Sequence, residues 1–348
     1  MSNRRKILLA LLLFLCLLAF IFRDLLSYGI GQARGEAHML LNTRPITECL
    51  SDPAFPDSLK TGLRMVGEIK SFARQNLGIL GDSEAVYTTF FDLKGRPLMH
   101  TLRACAPYSM QPYTWSFPVV GRFPYKGFFN NKALLAEQAE LRAQGLETET
   151  GEVAAFSTLG WLPEPVLSSM LQRGPGSLAN LIIHELTHGW VFVPDSTDFN
   201  ENLANFIADE GARLFIAHKY GPASEKMHRY KYIRTDRERY MAHLHRGYTQ
   251  LDSTYNSAAF KILPDFQKAK FKAALMKSIF SRLDTLQFSY PERFCGMPDS
   301  VNNNYFLGYS TYEFRQSMFK KEFEERFKGN LPAYIVYLRN KYGGPKGS

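Results

Sequence analysis

The segment Leu181-Ile182-Ile183-His184-Glu185-Leu186-Thr187-His188-Gly189-Trp190 holds two histidines four residues apart, with a glutamate directly after the first. On an α-helix, residues four apart share a face with Cβ atoms about 5–6 Å from each other, so both imidazoles can reach one cation. A tetrahedral zinc ion takes histidine nitrogens at about 2.0–2.1 Å, which suits that spacing. Glu185 then falls at the flank of the metal, where a carboxylate can take a proton from metal-bound water. The competing interpretation is a pair of hydrogen-bonded core histidines beside an unrelated glutamate. Burying two imidazoles and a carboxylate on an otherwise apolar helix is costly unless something pairs with them, which favours the metal.

Val191 and Pro194 stand where an H-E-x-x-H-x-x-G-x-x-H motif would carry its glycine and third histidine, so the third ligand must come from further on. Phe199-Asn200-Glu201-Asn202-Leu203-Ala204 follows, and Asn200 is expected to cap a second helix with Glu201 in its first turn. Twelve residues intervene between His188 and Glu201, enough for a helix end, a loop and a return to the metal. His184, His188 and Glu201 then form a His₂Glu set for one Zn²⁺ that leaves the fourth position to water. Asp195 and Asp198 compete as ligands from the loop; their other role is turn formation and capping. Asn205 shares a helix face with Glu201 and is a candidate to accept the outer N–H of His184.

Several elements must hold these groups in place. Gly174-Pro175-Gly176-Ser177 gives the metal helix its start, and Leu59, Leu63, Val66, Ile69 and Phe72 predict an amphipathic helix over 58–77. Ala85–Leu93 and Pro97–Cys105 read as the arms of a hairpin around Lys94-Gly95-Arg96. Ser116–Val120 and Phe123–Phe129 read as extended segments broken at Gly121. Lys132–Gln144 reads as a helix closed by Gly145, and Val153–Leu159 as a strand. From Val166 onward the patterns are mostly helical, and Lys226–Arg246 is expected to be a solvated helix face. The sum is an α+β chain, a mixed sheet layer followed by a helical half.

The 348 residues are 45% apolar and 22% charged, which excludes disorder and suits one large core. The net charge of +9 comes from 42 Lys+Arg against 33 Asp+Glu and is too spread out for a nucleic-acid binder, though it suits an anionic surface. Arg4-Arg5-Lys6 precedes an unbroken apolar run from Ile7 to Phe22. Residues 1–26 are therefore expected to be a single-pass signal anchor in the inner membrane, with residues 27–348 on the periplasmic side. A cleaved signal peptide and lipidation of Cys16 are the alternatives. In that oxidising space Cys49, Cys105 and Cys295 allow one disulfide, with no pairing favoured.

Beyond the metal motif, several segments stand together: Gly31-Gln32, Leu40-Leu41, Arg44-Pro45-Ile46, Trp115–Val119, Tyr125–Phe129, Phe156–Trp161, Phe199-Asn200-Glu201 and Asn303-Asn304-Tyr305. With H-E-x-x-H and the downstream N-E-x-x-A, the chain resembles the bacterial family of predicted zinc aminopeptidases, extracytoplasmic and membrane-attached, over almost everything after the anchor. Ser116 and Phe156 stand where that pattern carries Cys and Tyr. The resemblance implies a zincin-like metallopeptidase fold, ligand roles for His184, His188 and Glu201, and the base role for Glu185. It also implies a peptide or protein substrate that loses N-terminal residues. In zincins an edge strand just upstream of the metal helix pairs with the substrate backbone, which makes Ser157 and Gly160 substrate-binding candidates. Glu164, in Trp161-Leu162-Pro163-Glu164-Pro165, is a candidate for the substrate's α-ammonium. Tyr305, Tyr309 and Tyr312 are candidates to donate to a tetrahedral oxyanion. The alternatives are a metalloendopeptidase and a non-catalytic module stabilised by structural zinc.

Overall fold

The computed structural model describes residues 4–5, 7, 22–79, 86–117, 121–153, 164–193, 196–294, 301–310 and 316–343. The first half carries α1 (Arg23–Leu41), β1 (Arg44–Pro45), α2 (Ile46–Ser51), α3 (Asp57–Leu77), β2 (Thr89–Phe91), β3 (His100–Cys105), β4 (Trp115–Phe117), β5 (Gly121–Phe123), β6 (Lys126–Phe128), α4 (Asn131–Ala143) and β7 (Glu147–Glu152). After β8 (Val166–Leu167) the elements are helical: α5 (Pro175–Trp190), α6 (Thr197–Tyr220), α7 (Glu225–Asn256), α8 (Ala258–Lys261), α9 (Asp265–Ser281), α10 (Asn303–Ser310), α11 (Gln316–Phe327) and α12 (Leu331–Tyr342).

Local signals explain many of these boundaries. The apolar spacing of α3 buries Leu63, Val66, Ile69 and Phe72 along one stripe, and Gly78 at φ 75° ends it in the left-handed conformation that glycine takes without strain. In α4 the Asn130 side chain accepts from the backbone N–H of Lys132 and Ala133, capping two groups a helix cannot satisfy itself. Gly145 closes it with φ 81°.

The strands do not form one layer. Among the described residues they fall into three small sheets, ordered β1-β2-β8, β6-β3-β7 and β4-β5. The expected hairpin around Lys94-Gly95-Arg96 is therefore corrected. Its turn is present, with Lys94 at φ 51°, Gly95 at φ 74° and Arg96 N–H bonded to Leu93 C=O at 3.0 Å. Its arms diverge, however: β2 pairs with β1 and, in parallel, with β8, whereas β3 pairs antiparallel with β6 and β7. Each arm finds a better partner elsewhere, which local turn chemistry does not encode. The strand expected at Val153–Leu159 falls almost wholly outside the described residues, and its neighbour β7 extends the sheet upstream through the polar run Glu147–Glu152.

The largest apolar cluster joins α3, α5, α6, α11 and α12 around Leu63, Ile182, Ile183, Leu203, Phe206 and Tyr334. A second cluster unites α7, α9 and α10, and a third fills the space between the β6-β3-β7 sheet and α4. Lys226–Arg246 is only partly the solvated face expected of it, since Met227, Tyr240, Met241 and Leu244 are buried. Asn303 and Asn304 link the second cluster to the sheet. The Asn303 amide donates to the carbonyls of Ala106, Pro107 and Ser109, and that of Asn304 donates to the carbonyl of Glu147. Cys49 and Cys105 are both buried and unbonded, and Cys295 lies outside the described residues. Burial, more than any nearby charge, pushes the Cys105 thiol up to about 12. Among the described residues no helix is long and apolar enough to cross a membrane, and the anchor expected at 1–26 lies mostly outside them.

Candidate functional site

The site is built on the contact between α5 and α6. Proline at the first position of α5 suits a turn whose N–H groups have no intrahelical acceptor, and Gly174 before it is extended at ψ 157°. The helix buries Leu178, Ile182, Ile183 and Leu186. At its C-terminal end Arg339 of α12 donates to the carbonyl of Trp190 and lies 4.1 Å over the indole ring, which fixes the turn that carries His188. α6 approaches α5 closely at Gly211, where an added Cβ would sit 3.0 Å from Leu77 Cδ1 and 3.1 Å from Ile183 Cδ1.

Asn200 is placed differently from its expected capping role. α6 begins at Thr197, so Asn200 lies inside the helix, and Glu201 follows at the end of the first turn. The Asn200 side chain exchanges two hydrogen bonds of 2.8 Å with the backbone of Val193. It thereby closes the loop between the helices and sets the approach of Glu201 to α5.

The two histidines and Glu201 converge. The imidazole rings lie at 84° with centroids 4.7 Å apart, and their Nε2 atoms are separated by 3.1 Å. One Glu201 oxygen is 3.5 Å from His184 Nε2 and the other 3.4 Å from His188 Nε2. A tetrahedral donor set at about 2.0–2.1 Å from a single ion has edges of about 3.3 Å. The two Nε2 atoms at 3.1 Å match one such edge, each has a Glu201 oxygen at a comparable distance, and one donor atom from each of the three residues lies within 4.8 Å of the others. The donors are nitrogen, nitrogen and carboxylate oxygen, the set a catalytic zinc takes, so the residues fit the ion. The loop alternative is not part of this cluster: Asp198 is exposed and its carbonyl accepts from the Asn202 amide at 2.7 Å. Asp195 lies outside the described residues.

The charges around the cluster are strongly coupled. Burial works to raise the Glu201 carboxyl, but hydrogen bonding to His184 and His188 and their charges hold it far below the usual carboxylate range. Burial likewise opposes protonation of His184, yet Glu201, Glu185 and a hydrogen bond with Asn205 raise its affinity for a proton. Asn205 is therefore beside His184, as its spacing from Glu201 suggested, and its amide nitrogen is buried without a partner. Glu185 shows the opposite balance to Glu201. Burial raises it, the histidines lower it only in part, and the charges of Glu164 and Glu201 push it further up.

Glu164 is only 5% exposed, and its carbonyl accepts from the Tyr87 N–H at 2.9 Å. Its charge is felt by both Glu185 and Tyr87. Two residues here were not legible as site residues in the sequence. Tyr87 is 2% exposed with its hydroxyl unpartnered, and it holds a left-handed φ of 57° that a bulky side chain adopts only under tertiary constraint. Burial drives its phenol well above the ordinary range, with Glu185 and Glu164 adding to the shift. Tyr125, between β5 and β6, is 44% exposed as a whole residue, yet its phenol is raised, first by desolvation and then by the charge of Glu201, with Arg103 opposing. Only its place in the Tyr125–Phe129 segment singled it out.

The tyrosines chosen from the sequence fare differently. Tyr305 pairs its hydroxyl with that of Tyr240 and packs against Phe280, so it belongs to the second core cluster and not to the site. Tyr309 is on α10, directly after Gly308, where an added Cβ would meet Arg103 Nη1 at 2.8 Å. The Tyr309 side chain, Tyr312, Ser157 and Gly160 lie outside what is described.

The profile of a family described as "Putative aminopeptidase" matches residues 27–342. The chain belongs to that family. The match begins just after the apolar N-terminal run and takes in every described residue of the site. It places this chain among peptidases by class. Comparisons with curated proteins and with solved structures return no match.

Proposed function

We propose that the chain is a zinc-dependent metallopeptidase of zincin-like α+β fold, acting as an aminopeptidase at the periplasmic face of the inner membrane and anchored there by residues 1–26. The observation that carries the reading is the convergence of His184, His188 and Glu201, whose donor atoms lie within 4.8 Å of one another with the two Nε2 atoms 3.1 Å apart. His184, His188 and Glu201 would hold the ion. When bound, zinc supplies Lewis-acid polarisation of the scissile carbonyl and makes water a stronger nucleophile near neutral pH.

The chain's own groups do the remaining work. Glu185 takes a proton at its carboxylate from the attacking water and later delivers it to the leaving amine nitrogen. Its burial favours that cycle, because a carboxylate with a raised proton affinity is a better base. Asn205 fixes the ring orientation of His184. Tyr125 is assigned the donor role toward the oxyanion, in place of Tyr305. An intact Glu185 argues against a purely structural zinc module, which has no use for a base.

Exopeptidase action requires an anion that recognises the free α-ammonium close to the reacting carbonyl. Glu164 supports that role through its burial and its electrostatic coupling to Glu185. A charge-assisted hydrogen bond of about 1.5–3 kcal/mol corresponds to roughly ten- to a hundredfold in kcat/KM. The test compares peptides with free and N-acetylated termini on the zinc-loaded protein. The proposal expects hydrolysis of the free peptides only, and a loss of that order in Glu164→Gln. Equal cleavage of both peptide types would establish an endopeptidase instead.

A further inference from the structure

The corner between α8 and α9 leaves large apolar side chains in solvent. Ile262 is 83% exposed, Phe266 62% and Phe271 50%, all within ten residues. Soluble surfaces tolerate single exposed apolar residues, but three large ones within one short corner point to an interaction surface. The corner itself is firmly built. Phe260 is 4% exposed and packs on Phe271 with ring centroids 6.0 Å apart, and Met276, Ile279 and Phe280 anchor α9 in the second core cluster. At 100° per residue, Gln267 and Lys270 lie between Phe266 and Phe271 on the outer surface of α9. An apolar groove of about 730 Å³, lined by Phe260, Leu263 and Phe271, opens beside them.

The charges say what covers this surface. Asp265 is paired with Lys268 at 3.7 Å, whereas Lys261 and Lys270 have no ion pair among the described residues. Lys270 Nζ lies 5.9 Å from the centroid of the Phe266 ring, so cation and aromatic stand side by side. In a symmetric contact between two copies this patch would meet itself, bringing two surfaces that each carry unpaired lysines together. An anionic bilayer has the complementary arrangement: aromatic and aliphatic groups enter the interfacial layer while ammonium groups reach the lipid phosphates. We infer that the α8–α9 corner is an interfacial docking element that seats the folded domain on an anionic lipid surface. This inference is independent of the peptidase reading. It concerns how the domain lies on a bilayer, whatever the chemistry of its site.

The full chain tests it after reconstitution into vesicles of phosphatidylglycerol and phosphatidylcholine with brominated acyl chains. Phe266→Trp places an indole on the corner, and Val336→Trp, at a position 52% exposed on α12, serves as a surface control on a helix of the largest core cluster. After subtraction of the unsubstituted chain's emission, the indole introduced by Phe266→Trp is expected to be quenched by at least about half and the control to be unquenched. Adding Lys261→Gln and Lys270→Gln should weaken the docked state roughly fivefold per lysine and relieve the quenching in step. Equal emission from both positions in brominated vesicles would overturn the inference. So would an emission shift that depends on protein concentration and not on lipid, which would assign the corner to a second copy of the chain.

Discussion

Removing Glu201 should uncouple the metal from the fold. Its two oxygens each lie against one histidine, at 3.5 and 3.4 Å, and the carboxyl is held ionised far below its usual range. Structural zinc sites bind with about 10–16 kcal/mol shared over four protein ligands, or roughly 3–4 kcal/mol for each. Glu201→Ala should therefore weaken zinc binding by roughly 10²–10³-fold. The substitution also removes the acceptor that keeps both imidazoles oriented, so the effect should lie toward the upper end. Competition against a chromophoric chelator at fixed pH gives the affinity, and Asp198→Asn is the comparison because Asp198 is exposed. Unchanged affinity in Glu201→Ala, with loss in Asp198→Asn, would refute the reasoning and move the third ligand to the loop.

Other consequences are open to measurement. Gly211→Ala should destabilise the fold by about 1–3 kcal/mol in urea unfolding, since the new methyl meets Leu77 and Ile183 at 3.0–3.1 Å; an unchanged midpoint would mean that α5 and α6 can separate freely. Tyr125→Phe should lower kcat roughly 10²-fold with KM little changed, the signature of a donor used mainly in the transition state; a change in KM alone would contradict it. Burial works to raise Glu210, but the Arg234 charge and hydrogen bonds of 2.8 Å from Arg213 and Arg234 hold its carboxyl below the ordinary value of 4.5. A depressed folded value contributes stability that is present above the unfolded pKa and is lost as pH falls through the folded value. Unfolding midpoints of Glu210→Gln should therefore fall less steeply below about pH 4.5 than those of the parent chain, and parallel curves would exclude the pair as a source of acid lability.

The parts of this structure that are local were legible in the sequence, and the parts that depend on long-range choice were not. The i, i+4 histidines and Glu185 needed only helix geometry, α3 followed its apolar spacing to Leu77, and α4 was closed by Gly145. The approach of Glu201 to the two histidines was legible because only twelve residues separate it from His188. Asn200 was misassigned because a capping residue and a loop-closing residue have the same composition. Only the 2.8 Å bonds to Val193 separate the two roles. The hairpin at Lys94-Gly95 failed because a turn does not specify which strands its arms will pair with. Tyr87 carried no sequence signal. Its significance lies in a buried, unpartnered hydroxyl and a left-handed φ, both products of tertiary structure.

The central claim is that Glu185 is the proton-transfer group of a zinc peptidase, and Glu185→Gln tests it most directly. The amide keeps the shape of the side chain and leaves His184, His188 and Glu201 in place, so zinc content by elemental analysis should equal that of the parent chain. Turnover of a free-N-terminal peptide by the same zinc-loaded sample should fall by about 10²–10⁴-fold in kcat, the range expected for loss of a positioned general base. Full zinc occupancy with kcat within about twofold of the parent chain would contradict the account.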